Sequence, residues 1–199
     1  MINDTNDRIR YVAFKLFLER GYEATNIRDI CKEVNIKASS LYFYYNSKEA
    51  LFFSIYEELW SEKIKYLSNI EELKQSISSK LKFYDLYINT MKYYTQNIAN
   101  LKFLFRYHLF PPEEISISIR ERFKFWTNEE NKIVLAIVNE CIGEKILDSS
   151  RLPENYLKEY RRFDNSLLTE MIISNIKMNS KELDTLWLKF WNCTMQNCL

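Results

Sequence analysis

Lys37, Ala38, Ser39 and Phe43 carry a cation, a methyl group, a hydroxyl and an aromatic ring on what the spacing makes one outward face of a short helix, with Tyr42 beside them. Such a face is poorly suited to bulk water. It suits the major groove of duplex DNA, where Lys or Arg favours guanine and Ala or Phe can sit against a thymine methyl. Arg28, on the preceding stretch, could join these base-reading candidates. Thr25 or Asn26 could reach a phosphate, a contact that fixes position rather than sequence.

Positioning these residues requires two short helices and a sharp turn. Ile27, Ile30, Cys31 and Val34 fall at i, i+3, i+4 and i+7, the apolar face of a first helix, with Thr25 at the expected N-cap. Asn35 follows the last apolar residue and can take the left-handed conformation that the turn needs. The second helix, near Lys37 to Tyr45, turns Leu41 and Tyr45 inward. This is a helix-turn-helix pattern, whose second helix docks in the groove.

The same stretch resembles the TetR family of one-component transcriptional regulators. The resemblance rests on Gly21-Tyr22, Thr25, Ile27, Ile30, Ser39-Ser40-Leu41-Tyr42, Tyr44, Ser47-Lys48-Glu49 and Leu51, all in one register. Cys31, Asn35, Lys37 and Tyr45 depart from the usual Ala, Gly, Ser and Phe. The resemblance implies that Tyr42 touches the DNA backbone and that Lys48, at the start of the fourth helix, lies beside a phosphate. Exposed amides at that helix start would favour the same anion. It covers about the first quarter of the chain.

The 199 residues hold an apolar fraction of 47%, enough for a core, and only two Gly and three Pro, which favours long helices. The expected fold is all-α, with about nine helices: residues 1–48 form a three-helix DNA-binding module, and 49–199 a ligand-binding and dimerisation bundle. Helix 1 should run from about Asp7 to Arg20, ended by Gly21, and helix 4 from Asn46 or Ser47 past Trp60 to Leu67, with Asn46 and Glu49 as a capping box. Further helices are expected over Ser76–Asn97, with Ile77, Leu81, Tyr84, Ile88 and Met91 near one face, and over Ile98–Phe110. Others follow over Glu113–Leu147, Glu154–Lys177 and, capped by Ser180, to Gln196. The net charge is only +1, so any DNA footprint must be local; Met1 to Lys48 carries eight cations against six anions. No apolar run approaches a membrane span of about 20 residues and no signal peptide is legible, which points to the cytoplasm. Cys31, Cys141, Cys193 and Cys198 lack metal-ligand spacing and suit a reduced compartment.

No nucleophile or metal-binding motif is present, so an enzyme is not expected, nor a cofactor. His108, the single histidine, reads as structural. The carboxylate pairs Glu113-Glu114 and Glu129-Glu130 read as surface charge. An aromatic belt from Tyr84 to Trp126 is rich enough to line a pocket for a neutral or singly charged apolar ligand, with Tyr94, Phe103, Tyr107 and Phe123 as wall candidates. In the last two long helices, Leu168, Met171, Ile172, Leu183, Trp187, Phe190 and Trp191 form apolar stripes that suit a homodimer interface. The family resemblance implies the same four-helix arrangement.

The expected function is therefore a homodimeric regulator that binds a near-palindromic operator, most simply a repressor released by a small apolar or aromatic ligand. Helix 4 would act as the lever. The alternative is an orphan DNA-binding dimer whose aromatic core is packed solid.

Overall fold

A computed structural model describes residues 4–75, 77–174 and 179–195. Among them all regular secondary structure is helical and there is no strand. The helices are α1 (Thr5–Arg20), α2 (Ile27–Val34), α3 (Ala38–Tyr44), α4 (Lys48–Ser68), α5 (Ser79–Gln96), α6 (Ile98–Leu109), α7 (Ser116–Gly143), α8 (Pro153–Ser174) and α9 (Ser180–Phe190). Short 3-10 turns stand at Glu71–Lys74 and Glu113–Ile115, and a π-helical turn at Trp191–Met195. None of the described helices is long and apolar enough to cross a membrane. The expected helix limits at Ser76, Lys177 and Gln196, and Cys198, lie outside the described residues.

Packing divides the chain into two compact units. The first comprises residues 1–62 and 102–123; the second comprises 63–101 and 124–199. In the first, Ile9, Ala13, Leu16 and Phe17 of α1 meet Ile30, Val34, Leu41, Leu51 and Phe52 in a core where each is essentially without solvent exposure. Phe52 is its aromatic hub, with ring centroids 5.4 Å from Phe17, 5.2 Å from Tyr22, 5.6 Å from Phe103 and 4.7 Å from Tyr107.

In the second unit, Phe83, Leu86, Tyr87, Met91 and Tyr94 of α5 are buried, whereas Leu81 is 54% exposed. Of the residues expected near one face of α5, Ile88 and Met91 are buried and Leu81 is not, because the apolar residues of this segment encircle the helix and leave periodicity ambiguous. The aromatic core continues through Tyr160, Phe163, Trp187 and Trp191. Tyr87 stacks on Trp187 at 5.3 Å, and Phe163 lies parallel to Phe190 at 4.2 Å. Leu168, Met171, Leu183, Trp187, Phe190 and Trp191 are therefore buried within this unit, and only Ile172 of the expected dimer stripe is half-exposed. A side chain consumed by its own core cannot anchor a partner, which corrects the assignment of those six. Among the described residues, the exposed large apolar side chains on the same helices are Ile173 and Leu188.

Several helix ends also differ from expectation. Asn179, not Ser180, caps α9 in a capping box with Glu182. Ser47 rather than Asn46 caps α4, its Oγ accepting from the Ala50 amide at 3.0 Å. The α7 helix ends at Gly143, four residues early. Lys145 takes the left-handed conformation (φ 60°) and the Ile146 amide donates back to Cys141 O at 2.8 Å. These are the contacts of a Schellman stop built without glycine, hence invisible to a search for Gly.

The second unit also buries charge. Lys63, Glu130 and Asp164 are 3%, 4% and 2% exposed. Lys63 Nζ and Arg161 Nη1 both lie 2.9 Å from Glu130 Oε1. Glu130 is thus not the surface carboxylate expected from its sequence, because Lys63 of α4 and Arg161 of α8 meet it in the interior. Burial pushes the Glu130 carboxyl up, but Lys63 and then Arg161 outweigh burial and hold it at about 2. For Asp164 burial wins over Arg161 and Lys63, and the carboxyl is pushed up to about 6.

The signs of these shifts are opposite. Glu130 contributes stability that is present above its ordinary range and is lost as pH falls toward 2. Asp164 holds its proton more tightly folded than unfolded, so its contribution is lost as pH rises from about 4 through 6. Glu130→Gln should cost about 3–5 kcal/mol at pH 7 by stranding buried cations. Asp164→Asn should remove a loss on the order of 2–3 kcal/mol between pH 4 and 7. Urea denaturation across that range checks both; parent-like profiles for the two variants would refute the assignment.

Candidate nucleic-acid interface

The interface is built on the carbonyl end of α1. The last carbonyls of a helix lack intrahelical donors and must find others. Phe17 O accepts from the Gly21 amide at 3.0 Å and from the Tyr107 hydroxyl at 2.8 Å. Leu18 O accepts from Arg106 Nη1 at 3.0 Å. Gly21, at φ +89°, makes the turn, and a Cβ there would meet Arg106 Nη2 at 2.7 Å. Thr25 is fully buried and its hydroxyl donates to Gly21 O at 2.7 Å. Its side chain is thereby spent inside the fold. Asn26 is the N-cap of α2, exposed and with no side-chain capping bond. Thr25 is withdrawn as an N-cap and as a side-chain phosphate ligand; Asn26 remains.

The turn between α2 and α3 has the expected form. Asn35 adopts φ 60°, ψ 51°, its amide donates to Lys32 O at 3.2 Å and the Ile36 amide to Cys31 O at 2.9 Å. Arg8 Nη2 donates to Val34 O at 2.7 Å, and the Tyr45 hydroxyl to Asn6 Oδ1 at 2.6 Å, so α1 holds both helices of the motif. Leu41 is fully buried. Its opposite face presents Phe43 (84% exposed), Tyr42 (50%), Ala38 and Ser39, with Lys37 exposed at the N-cap. Asn26, Ile27, Arg28, Asp29, Ala38 and Tyr42 line an open depression beside that face. Arg28, Lys37, Ala38, Ser39, Tyr42 and Phe43 are thus brought to one surface region, with Asn26 at its edge.

Lys48 is half-buried. Its Nζ donates to Tyr22 O at 3.0 Å and sits 4.1 Å from the Tyr22 ring centroid, which fixes the ammonium at the start of α4. Tyr22 in turn donates to Glu114 Oε1 at 3.2 Å. Burial, then Glu114, pushes the Tyr22 phenol well above its ordinary range, so it remains a donor. Neither this carboxylate contact nor the bracing of α1 by Tyr107 and Arg106 was read in the sequence. Residues so far apart along the chain carry no local signal.

The four wall candidates divide between the two units. Phe103 and Tyr107 are buried in the core of the first unit, Phe103 stacked on Phe14 at 5.2 Å. Phe123, in the same unit, stacks on His108 at 3.6 Å. Tyr94 belongs to the second unit, buried under Lys63 Nζ at 5.0 Å. Phe103 and Tyr107 are better assigned to packing around α1 and α4. Among the described residues no group of His, Cys, Asp and Glu is arranged to hold a metal ion.

Residues 9–55 match the family model described as bacterial regulatory proteins, tetR family. Over this segment the chain carries a tetR-type module. Beyond that segment the likeness is one of fold. The biofilm operon icaADBC HTH-type negative transcriptional regulator IcaR of Staphylococcus aureus (strain Newman) is 42% identical over 73 residues, 37% of each chain. The match thus spans well under half of that relative. The fatty acid degradation regulator FadR from Bacillus halodurans superposes with TM-score 0.77 at 12% identity, covering 96% of both chains. FadR from Bacillus subtilis, solved in complex with stearoyl-CoA, gives TM-score 0.73 at 14% identity over 92% of this chain and 96% of that one. The TetR module is thus similar in sequence to known relatives, and the remainder shares their helical layout.

Gly21→Ala should destabilise the module by about 1–3 kcal/mol, from the positive φ. Thermal unfolding measures this; an unchanged melting temperature would mean that the α1 stop is not under that constraint.

Proposed function

We propose that this protein is a TetR-family DNA-binding transcriptional regulator, a dimer on a near-palindromic operator, that represses until a small apolar ligand binds. The observation that carries the reading is the exposed Lys37, Ala38, Ser39, Tyr42 and Phe43 face, held by the Asn35 turn and a buried Leu41. Repression is favoured because the relative matching this module is a negative regulator. Ligand control is favoured by the fold shared with a regulator solved with stearoyl-CoA. The functional division is taken at residue 48, with DNA recognition before it and sensing and dimerisation over 49–199. The α4 helix carries Lys48 at its first residue and Lys63 farther along. The proposed site of action is the cytoplasm, and no catalytic role is assigned.

A two-fold dimer calls for matching half-sites. Its contact face on α8 and α9 is assigned to Ile173 and Leu188, exposed at 76% and 55%, with Ile172 at the edge. Selection of bound duplexes from random DNA tests the whole reading; recovery of no common, two-fold motif would refute it.

Lys48→Ala should weaken binding equally across sequences and reduce the salt slope by about one. Phe43→Ala or Lys37→Ala should instead change preference at particular positions, by about 1–3 kcal/mol each. Competition binding at several salt concentrations separates the two behaviours, and identical effects from all three variants would dissolve the division into positioning and reading residues.

Leu188→Glu and Ile173→Glu should shift the protein toward monomer while leaving its helical content intact, since both side chains lie outside the core. Sedimentation showing an undisturbed dimer would place the contact elsewhere.

A further inference from the structure

The buried charges of the second unit are not all satisfied. Glu130 is engaged by Lys63 and by Arg161 Nη1, both at 2.9 Å. Arg161 Nε donates to Asn131 Oδ1 at 2.8 Å. The remaining guanidinium nitrogen, Nη2, is buried with no hydrogen-bond partner. One turn along α8, Asp164 Oδ2 lies 3.7 Å from Arg161 Nη1, too long for a hydrogen bond. Asp164 Oδ1 is likewise buried and unpartnered. Two side chains one turn apart on α8 therefore each leave a buried polar atom unpaired, a donor on Arg161 and an acceptor on Asp164, which native cores rarely leave uncompensated.

The groups facing Asp164 are Arg161 and Tyr160 on its own helix, Lys63 from α4, Glu130 from α7, and Tyr87 and Tyr94 from α5. Two cations oppose two carboxylates, so the charge is already balanced. Three tyrosines supply an apolar, polarisable surround.

Building on the ligand-controlled reading, we propose that Arg161 Nη2 and Asp164 Oδ1 form a head-group site for an uncharged ligand that accepts one hydrogen bond and donates another. A hydroxyl or carboxamide on an apolar body has this chemistry. A carboxylate head would face Asp164, and an ammonium head would add a third cation; either leaves a buried charge without compensation. A donor from the ligand favours the charged form of Asp164, whose carboxyl burial otherwise pushes up to about 6. Binding should therefore tighten as pH rises from 5 to 7.

The test uses the full chain and eight probes: hydroxyl, carboxamide, carboxylate and ammonium heads on a ten-carbon chain and on naphthalene. Calorimetry and thermal shift should show the hydroxyl or carboxamide of at least one body binding at least tenfold tighter than its charged counterparts. Asp164→Asn should abolish the pH dependence. Arg161→Lys, which keeps a cation beside Glu130 but loses Nη2, should weaken binding about tenfold with circular dichroism unchanged. Equal or tighter binding of charged heads, binding of no probe, or parent-like affinity and pH profile in both variants would overturn the site. Operator binding is measured on the same preparation. Specific DNA binding with a failed probe series removes only this head-group site, whereas loss of specific DNA binding removes the regulator reading itself.

Discussion

The first unit depends on where the unpaired carbonyls of α1 find donors. A helix end inside a protein must satisfy those groups, and here the solution sets the geometry of the recognition module. Phe17 O takes the Tyr107 hydroxyl, Leu18 O takes Arg106, and Gly21 O takes Thr25. Each bond converts a frayed terminus into a fixed one. With α1 fixed, Arg8 can reach Val34 O and Asn6 can receive the Tyr45 hydroxyl, which sets α2 and α3. The exposed face of α3 is positioned by bonds it does not itself make.

The second unit obeys a different constraint. Its core is aromatic, yet it contains Lys63, Glu130, Arg161 and Asp164. Such a cluster stabilises little relative to apolar residues of similar size, but removing any one partner is costly. It therefore limits how α4, α7 and α8 can pack. Glu130 illustrates the satisfied case, with two cations at 2.9 Å and a carboxyl held at about 2. Asp164 illustrates the unsatisfied one, with its guanidinium neighbour at 3.7 Å and a carboxyl pushed to about 6. Two acids of similar chemistry differ because one is hydrogen-bonded and the other is merely near charge.

The comparisons divide along the chain as the physics does. Sequence likeness is concentrated at the N-terminal end, where residues 9–55 match the family model and a positive φ, a tight turn and an exposed reading face restrict the residue types. The fold of nearly the whole chain is shared at only 12–14% identity. A helical bundle asks only for apolar faces of suitable volume, which many sequences supply.

The helix-turn-helix was legible in the sequence because its determinants are local. Apolar spacing places Ile30, Cys31 and Val34 inside, Asn35 can adopt φ 60°, and Leu41 must turn inward, which leaves Ala38, Ser39, Tyr42 and Phe43 outside. The all-helical class and most helix limits followed from the same periodicity. Local pattern could not decide which apolar stripe meets which neighbour. Trp187, Phe190 and Trp191 read as an interface and prove to be core; Leu81 reads as core and is exposed. Glu130 reads as solvated because nothing nearby in the sequence announces that Lys63 and Arg161 will converge on it from other helices. Thr25 looks available until Gly21 O claims its hydroxyl. Periodicity is a property of one helix, whereas burial, hydrogen-bond partnership and charge compensation belong to pairs of helices, and only the tertiary structure forms those pairs.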